Sequence, residues 1–513
     1  MAQSYIFVGL PEYTSYNNLN SPVMFSLKAV IEIDKESKTP VYLQIANKII
    51  LQIKKGILKP GSKLPGTREL SKTLLVHRKT IVAALDELDA QGWIEIVPYS
   101  GTYIKESMPE VRGKKLVSSN GQPIQFAKQT GFPLIKNKFL PQPHRVIPYY
   151  LEINEGYPDV RIAPVEALSR AYRDLLKKEY YKKHLSYAGT HGNIDLRKAL
   201  CEHLRETRGI QATEENILVT RGSMMALYLA IHTIIKPYDA VVVGETNYYS
   251  ATAMFKNIGA KVIRVPVDEN GMVTVDVEKI CKRQKIRAVY LTPHHHNPTT
   301  VTLKAERRMH LLSLAEEHKF AVLEDDYDFD YHYDSNPVLP LASADTHGMV
   351  IYMGSLSKSL APAFRVGFAV APENLIEEMA RLRRVIDLQG DTVLEKAIAE
   401  LFTTGEIQRH QKKATKIYHA RRDYFCALLK HRLEDVISFQ VPSGGMAIWS
   451  RFDMRYNLPE IAKKTREKEL FLSSGRFFNP EGQNLNATRM GFASLSFDEM
   501  EEAVDILEKV VRN

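Results

Sequence analysis

Three runs of helical apolar spacing with a short strand pair behind them (residues 40–106), then apolar strands alternating with helices from about residue 151, predict a multidomain chain. The first module has the layout of a winged helix-turn-helix, and the second that of an α/β sheet domain. A length of 513 residues exceeds what one ordinary core organises, which agrees with that division.

Residues 1–38 are predicted as an N-terminal extension, partly disordered. Residues 1–23 carry Asn, Ser, Tyr and Pro without a clear period, as either a disordered extension or an upstream start preceding Met24. "FSLKAVIEID" at 25–34 then leads into the first module, 39–106. Within it, "YLQIANKIILQIKKGIL" sets Leu43, Ile45, Ile49, Ile50, Ile53 and Ile57 mostly at helical spacing, with Pro60 and Gly61 as its breakers. "TRELSKTLL" reads as a second helix with Thr67 as N-cap and Glu69 in the first turn. After a turn at Val76–His77, "RKTIVAALDELDAQG" reads as a third helix closed by Gly92. "WIEIVPYSGTYIKE" gives two strands around a Ser100–Gly101 turn. Residues 107–150 hold prolines, glycines and lysines with weak periodicity, a linker too long for a loop inside a compact domain. From 151 to 513, "AVVVG", "AVYLTP" and "AVLEDD" are strands of the larger domain.

Composition excludes some classes. No apolar run approaches a membrane span, and no export signal opens the chain, so a cytoplasmic protein without membrane contact is expected. Cys201, Cys281 and Cys426 lie far apart, which suits neither a disulfide framework nor a cysteine metal site. A net charge of +9 permits a polyanion partner without demanding one, because the excess is spread along the chain.

The first module holds ten Lys and Arg against six Asp and Glu. Arg68 and Arg78 suit phosphate clamping or bidentate reading of guanine. His77, Lys79 and Thr80 open the third helix, where a recognition helix meets bases or backbone, and Gly101 lets the wing tip turn. A three-helix interaction module with solvated charges fits the same pattern. In the second module, "GSLSKSLAPAFRVGF" surrounds Lys358 with the hydroxyls of Ser355 and Ser357 and sets Arg365 seven places on. A lysine desolvated there would lose its proton readily and attack an aldehyde, while hydroxyls and a guanidinium suit a phosphate. A structural lysine at a strand end fits that stretch alone. "AVLEDDYDFDY" ends a strand on Asp325, Asp326 and Tyr327; a carboxylate there suits a protonated pyridine nitrogen or a metal ion. No histidine stands at convincing ligand spacing, so no metal is expected. "VTRGSMMALYLAI" puts Gly222 and Ser223 at a helix start, where free amides favour phosphate. His294, His295 and His296 alternate in direction along an extended segment, which argues against one shared ion.

"TPVYLQIANKIILQIKKGILKPGSKLPGTRELSKTLLVHRKTIVAALDELDAQGWIEIVPYSGTYI" resembles the GntR-type winged helix along its whole length, with "LPGTREL", "HRKTI" and "YSGTYI" at its motif positions. Residues 151–513 resemble the fold-type I aminotransferases, class I/II, through "EGYPD", "SYAGTHGNIDLRKAL", "RGSMMAL", "HNPTT", "EDDYD", "SLSKSLAPAFRVG" and "TRMGF" in that order. Together they resemble the MocR-type regulators.

The resemblance implies a pyridoxal 5'-phosphate site on a transferase fold. It makes Lys358 the aldimine lysine, Asp325 the partner of the pyridine nitrogen, and Tyr327 and Asn297 the donors to the phenolic oxygen. Tyr248 would stack on the ring, although the doublet leaves Tyr249 open. Gly222, Ser223, Ser355, Ser357 and Arg365 would hold the phosphate with Tyr187 of the other subunit, and Arg489 the carboxylate of an amino-acid-like effector. The implied function is a regulator that binds operator DNA as a homodimer with exchanged heads and senses the cofactor or an amino compound through an aldimine. The alternative is an active aminotransferase with a DNA-binding head. The sequence departs from the pattern at Gly66, His77 and Tyr99 in the head. In the body it departs at Asn297, where many MocR-type proteins carry an aromatic residue, at Thr300, where glycine is usual, and at the Met pair of "GSMMAL".

Overall fold

The computed structural model describes residues 31–34, 37, 39–107, 127–141, 149–177, 182, 185–334, 337–480 and 483–512. The reading of residues 1–23 lies outside these, as does most of the 1–38 extension and of the 107–150 stretch. The chain forms two compact units that divide between Leu134 and Ile135.

The first unit is built on α1 (Val41–Lys54), β1 (Lys63–Leu64), α2 (Thr67–Leu74), α3 (Arg78–Ala90), β2 (Ile94–Val97) and β3 (Gly101–Ile104). Ile45, Ile49 and Ile53 of α1 recur on one face and are buried with Leu70, Ile81, Leu85 and Leu88. Each such side chain contributes about 1.5–3 kcal/mol by leaving water. The first helix stops earlier than Pro60. Gly56 takes φ +73° and its N–H donates to the Ile53 carbonyl at 2.9 Å, so Ile57 leaves the helix and is 40% exposed. Gly66, not Thr67, caps α2: its carbonyl accepts from the Leu70 N–H at 2.9 Å, while the Thr67 hydroxyl accepts from Arg78 Nε at 3.2 Å. Gly92, just past α3, has φ +76°. The ribbon gains a third strand, in the order β1-β3-β2. Its tip turn sits one residue earlier than the sequence suggests, with Tyr99 at φ +63° and Gly101 already opening β3. Gly101 takes φ +136°, a conformation that side-chain-bearing residues rarely adopt, and a Cβ there would also come within 2.5 Å of the flexible end of Lys63.

The second unit begins with β4 (Leu151–Ile153). Its main sheet contains β5 (Ile217–Thr220), β6 (Ala240–Gly244), β7 (Lys261–Val265), β8 (Ala288–Leu291), β9 (Ala321–Asp326), β10 (Val350–Ser355) and β11 (Gly367–Val370). The order is β5-β11-β10-β9-β8-β6-β7, and β11 is antiparallel to both neighbours. The strands read as continuous apolar runs because both faces are covered, by a layer around Leu227, Phe255 and Met379 and by one around Leu311, Leu312 and Phe320. A smaller three-stranded sheet carries β12 (Ala447–Phe452) against β13 (Ala487–Gly491), packed on Tyr418, Phe425 and Leu507. Among the described residues no helix is long and apolar enough to cross a membrane.

Candidate functional site

The loops beyond the carboxyl ends of β8, β9 and β10 enclose a cavity of about 420 Å³, where an open α/β sheet offers a binding crevice. Lys358, three residues past β10, lines it. Its ammonium donates to the Gly156 carbonyl at 2.8 Å and lies 5.3 Å from the centre of the Tyr157 ring. Burial lowers its pKa to about 8, against the pull of the Asp328 carboxylate and with the help of the Arg489 charge. A lysine so placed is a competent nucleophile near neutral pH.

Asp325, near the end of β9, accepts a hydrogen bond from the Tyr290 hydroxyl at 2.9 Å through Oδ2, while its buried Oδ1 has no partner. Burial pushes its pKa up to about 6. Asn297 also lines the cavity with a buried, unpartnered Oδ1, and its N–H donates to Thr292 Oγ1 at 2.8 Å. Tyr327 lines the same wall and donates to the His295 carbonyl at 2.8 Å. Of the tyrosine doublet, Tyr248 faces the cavity, and Tyr249 packs on Phe477 with ring centres 5.3 Å apart.

Ser223 is the first residue of α4 (Ser223–Ile234), directly after Gly222 at φ +81°. A Cβ on Gly222 would sit 2.5 Å from Arg365 Nη2. Arg365 donates from Nη1 to Ser357 Oγ at 3.4 Å and from Nη2 to the Arg221 carbonyl at 3.2 Å. Ser355 Oγ accepts from the Ser357 N–H at 3.2 Å, so helix start, hydroxyls and guanidinium converge. Arg489 on β13 is only 2% exposed, and donates from Nε to the Glu155 carbonyl at 3.0 Å and from Nη1 to the Pro298 carbonyl at 3.3 Å. Gly222 does not line the cavity itself but directly precedes Ser223, which does, whereas Tyr187 stands apart from the cavity of its own chain, 85% exposed.

Sequence reasoning assigned no role to Glu155, Tyr157 or Asp328, although "EGYPD" and "EDDYD" contained them. Glu155 and Tyr157 line the cavity. Asp328 Oδ1 accepts from His295 Nδ1 at 2.8 Å, with both side chains buried. The three histidines take separate partners: His294 donates to the Val338 carbonyl, His295 bonds to Asp328, and His296 bonds to Thr299. Thr300 takes φ +62°, a left-handed conformation that a glycine would adopt without strain.

In the first unit, α2 and α3 begin side by side, joined by the Arg78–Thr67 bond and turned by Leu75 at φ +52°. Arg68, His77, Arg78 and Lys79 are exposed there and Thr80 is half-buried. His77 caps α3, its Nδ1 accepting from the Lys79 N–H at 3.2 Å. Basic side chains at two adjacent helix starts suit a phosphate backbone.

Comparison with known proteins follows the same division. The model of aminotransferase class I and II matches residues 151–507, and that of the bacterial regulatory proteins of the gntR family matches residues 41–104. Over 485 residues the chain is 27% identical to a probable rhizopine catabolism regulatory protein MocR of Rhizobium meliloti, covering 93% of this chain and 95% of that protein. It is 29% identical over 363 residues to an aromatic-amino-acid aminotransferase of Thermococcus litoralis, covering 70% of this chain and 87% of the other. A solved kynurenine aminotransferase of Pyrococcus horikoshii superposes with a TM-score of 0.66 at 28% identity, over 71% of this chain and 90% of that one. The chain belongs to the aminotransferase class I and II family and carries a gntR-type helix-turn-helix ahead of that fold, the build of the MocR-like regulators.

Proposed function

We propose that the protein is a cytoplasmic transcriptional regulator whose body binds pyridoxal 5'-phosphate and an amino-acid-like effector, and whose head binds operator DNA. The observation that carries this reading is the buried, unpartnered Asp325 Oδ1, set with Asn297, Lys358 and Arg489 around one cavity. Buried polar atoms without partners are rare in folded proteins, and a ring bearing a protonated nitrogen would satisfy this one. The residues fit the group. Pyridoxal phosphate, when bound, supplies an aldehyde for capture of an amine and a ring that withdraws electrons from it.

Lys358 would hold the aldehyde carbon, and Asp325 the nitrogen proton. Tyr327 and Asn297 would bond the phenolic oxygen, and Tyr248 would lie against the ring. Gly222, Ser223, Ser355, Ser357 and Arg365 would hold the phosphate, completed by Tyr187 of a second subunit. Arg489 would take the effector's carboxylate. The domains run 39–106 and 151–513, with 107–150 as linker and the heads exchanged in a homodimer.

Asn297 beside Lys358, Asp325 and Arg489 keeps a second reading, an active aminotransferase, in play. Absorption spectra of the protein and of Lys358→Ala, taken while amino acids are added, separate the two. A Lys358-dependent visible band that shifts and persists supports the sensor. Steady conversion to the pyridoxamine form with release of keto acid supports the enzyme. Absence of any Lys358-dependent band overturns both.

A further inference from the structure

Glu155 is the carboxyl group of the cavity wall that the proposed function leaves without work. Its position is fixed rather than incidental. Asn154 Oδ1 accepts from the N–H groups of Gly156 at 3.0 Å and Tyr157 at 2.8 Å, and the Asn154 carbonyl accepts from the Gly491 N–H at 2.6 Å. That turn ties β4 to β13 and holds the Glu155 side chain at the cavity. Gly156 has φ +96°, and a Cβ there would approach Arg489 Nη2 to 3.2 Å, so the chain crosses beneath the guanidinium with nothing to spare.

The carboxylate itself is poorly compensated. Ser473 Oγ donates to Oε1 at 3.1 Å, and among the described residues no Lys, Arg or His forms an ion pair with it. Arg489, the nearby cation, spends Nε and Nη1 on main-chain carbonyls, one of them that of Glu155. Burial raises the Glu155 pKa against the opposing field of Arg489. An effector carboxylate on Arg489 would neutralise that field and favour the protonated acid at Glu155 still more. A neutral or anionic effector side chain would leave Glu155 in that form and gain nothing from it. A cationic one would hold it ionised and gain an ion pair.

We infer that the effector is an amino acid with a cationic side chain, and that Glu155 is the residue that selects for it. The inference rests on the proposed reading of the cavity as an amino-acid site. L-Ornithine and L-norleucine separate the possibilities, because an ammonium in one replaces a methyl in the other at equal chain length. The concentration that half-shifts the visible band of the pyridoxal-phosphate-loaded full chain is measured for both, and for L-glutamate, in the protein and in Glu155→Gln.

The expected result is a half-shift at about tenfold lower ornithine than norleucine, with glutamate weakest. In Glu155→Gln the ornithine advantage falls to about two- to threefold, while the norleucine value stays within about twofold. Equal response to ornithine and norleucine, or an ornithine advantage that survives Glu155→Gln, overturns the inference and leaves the amino-acid site standing. Absence of the Lys358-dependent band overturns the site and the inference together.

Discussion

At the scale of single residues, the acid–base balance at Lys358 is the quantity to measure. Its pKa of about 8 reflects burial, opposed by the Asp328 carboxylate. The amine is protonated below that value and nucleophilic above it, so the rate at which the cofactor-free protein captures pyridoxal phosphate is expected to rise with a midpoint near pH 8. Rapid-mixing absorbance across pH checks this. Asp328→Asn keeps an acceptor for His295 but removes the negative charge that holds the lysine's proton. The midpoint should then move to lower pH, and a move upward would refute the stated role of Asp328. Glu155 and Asp328 stood unassigned in their motifs because a sequence does not say which way a loop carboxylate points. The packing of Gly156 under Arg489 and of His295 against Asp328 gives each its place.

Elements position these residues through close approaches that only some side chains permit. α4 starts at Ser223 because Gly222 turns with φ +81°, and the missing Cβ leaves room for Arg365. Gly222→Ala would strain that turn and push the guanidinium away from the helix start. Retention of pyridoxal phosphate during dialysis should fall about tenfold with little change in secondary structure by circular dichroism. In the first unit, Leu88 is fully buried between helices. Leu88→Ala should cost about 2–5 kcal/mol and lower the head's own thermal transition. The body's transition and its visible band should stay unchanged. Helix ends were the least legible feature of the sequence. Gly56 outranked Pro60 as the stop of α1 because a left-handed glycine closes the last turn by hydrogen bonding, whereas a proline only prevents extension. The strand β1 escaped notice because two residues carry no alternation to read.

At the scale of the whole molecule, the two modules carry separable tests. DNA affinity of the head should fall steeply with salt, and Arg78→Ala should reduce the slope of log affinity against log salt by about one. Fluorescence anisotropy on a labelled operator fragment measures both. Tyr187 supplies a test of assembly. If it completes the partner subunit's phosphate site, Tyr187→Phe weakens cofactor binding and Lys358→Ala abolishes the band. A mixed dimer of the two variants would hold one site with Lys358 and Tyr187 both intact. Unfolding the variants together and refolding them should restore tight binding at that site; no recovery would place Tyr187 outside it.

The sequence by itself determined the two modules, their order and the residue types of the cavity. Apolar period reports burial directly, and the motifs of the head and body survive at fixed spacing along the chain. Only the tertiary structure decided which members of those motifs meet. It brought Glu155, Lys358 and Arg489, distant in the chain, to one cavity, chose Tyr248 over Tyr249, and gave each of three adjacent histidines its own partner. The physical reason is that side-chain direction and desolvation arise from contacts between segments far apart in the chain, which no local pattern encodes.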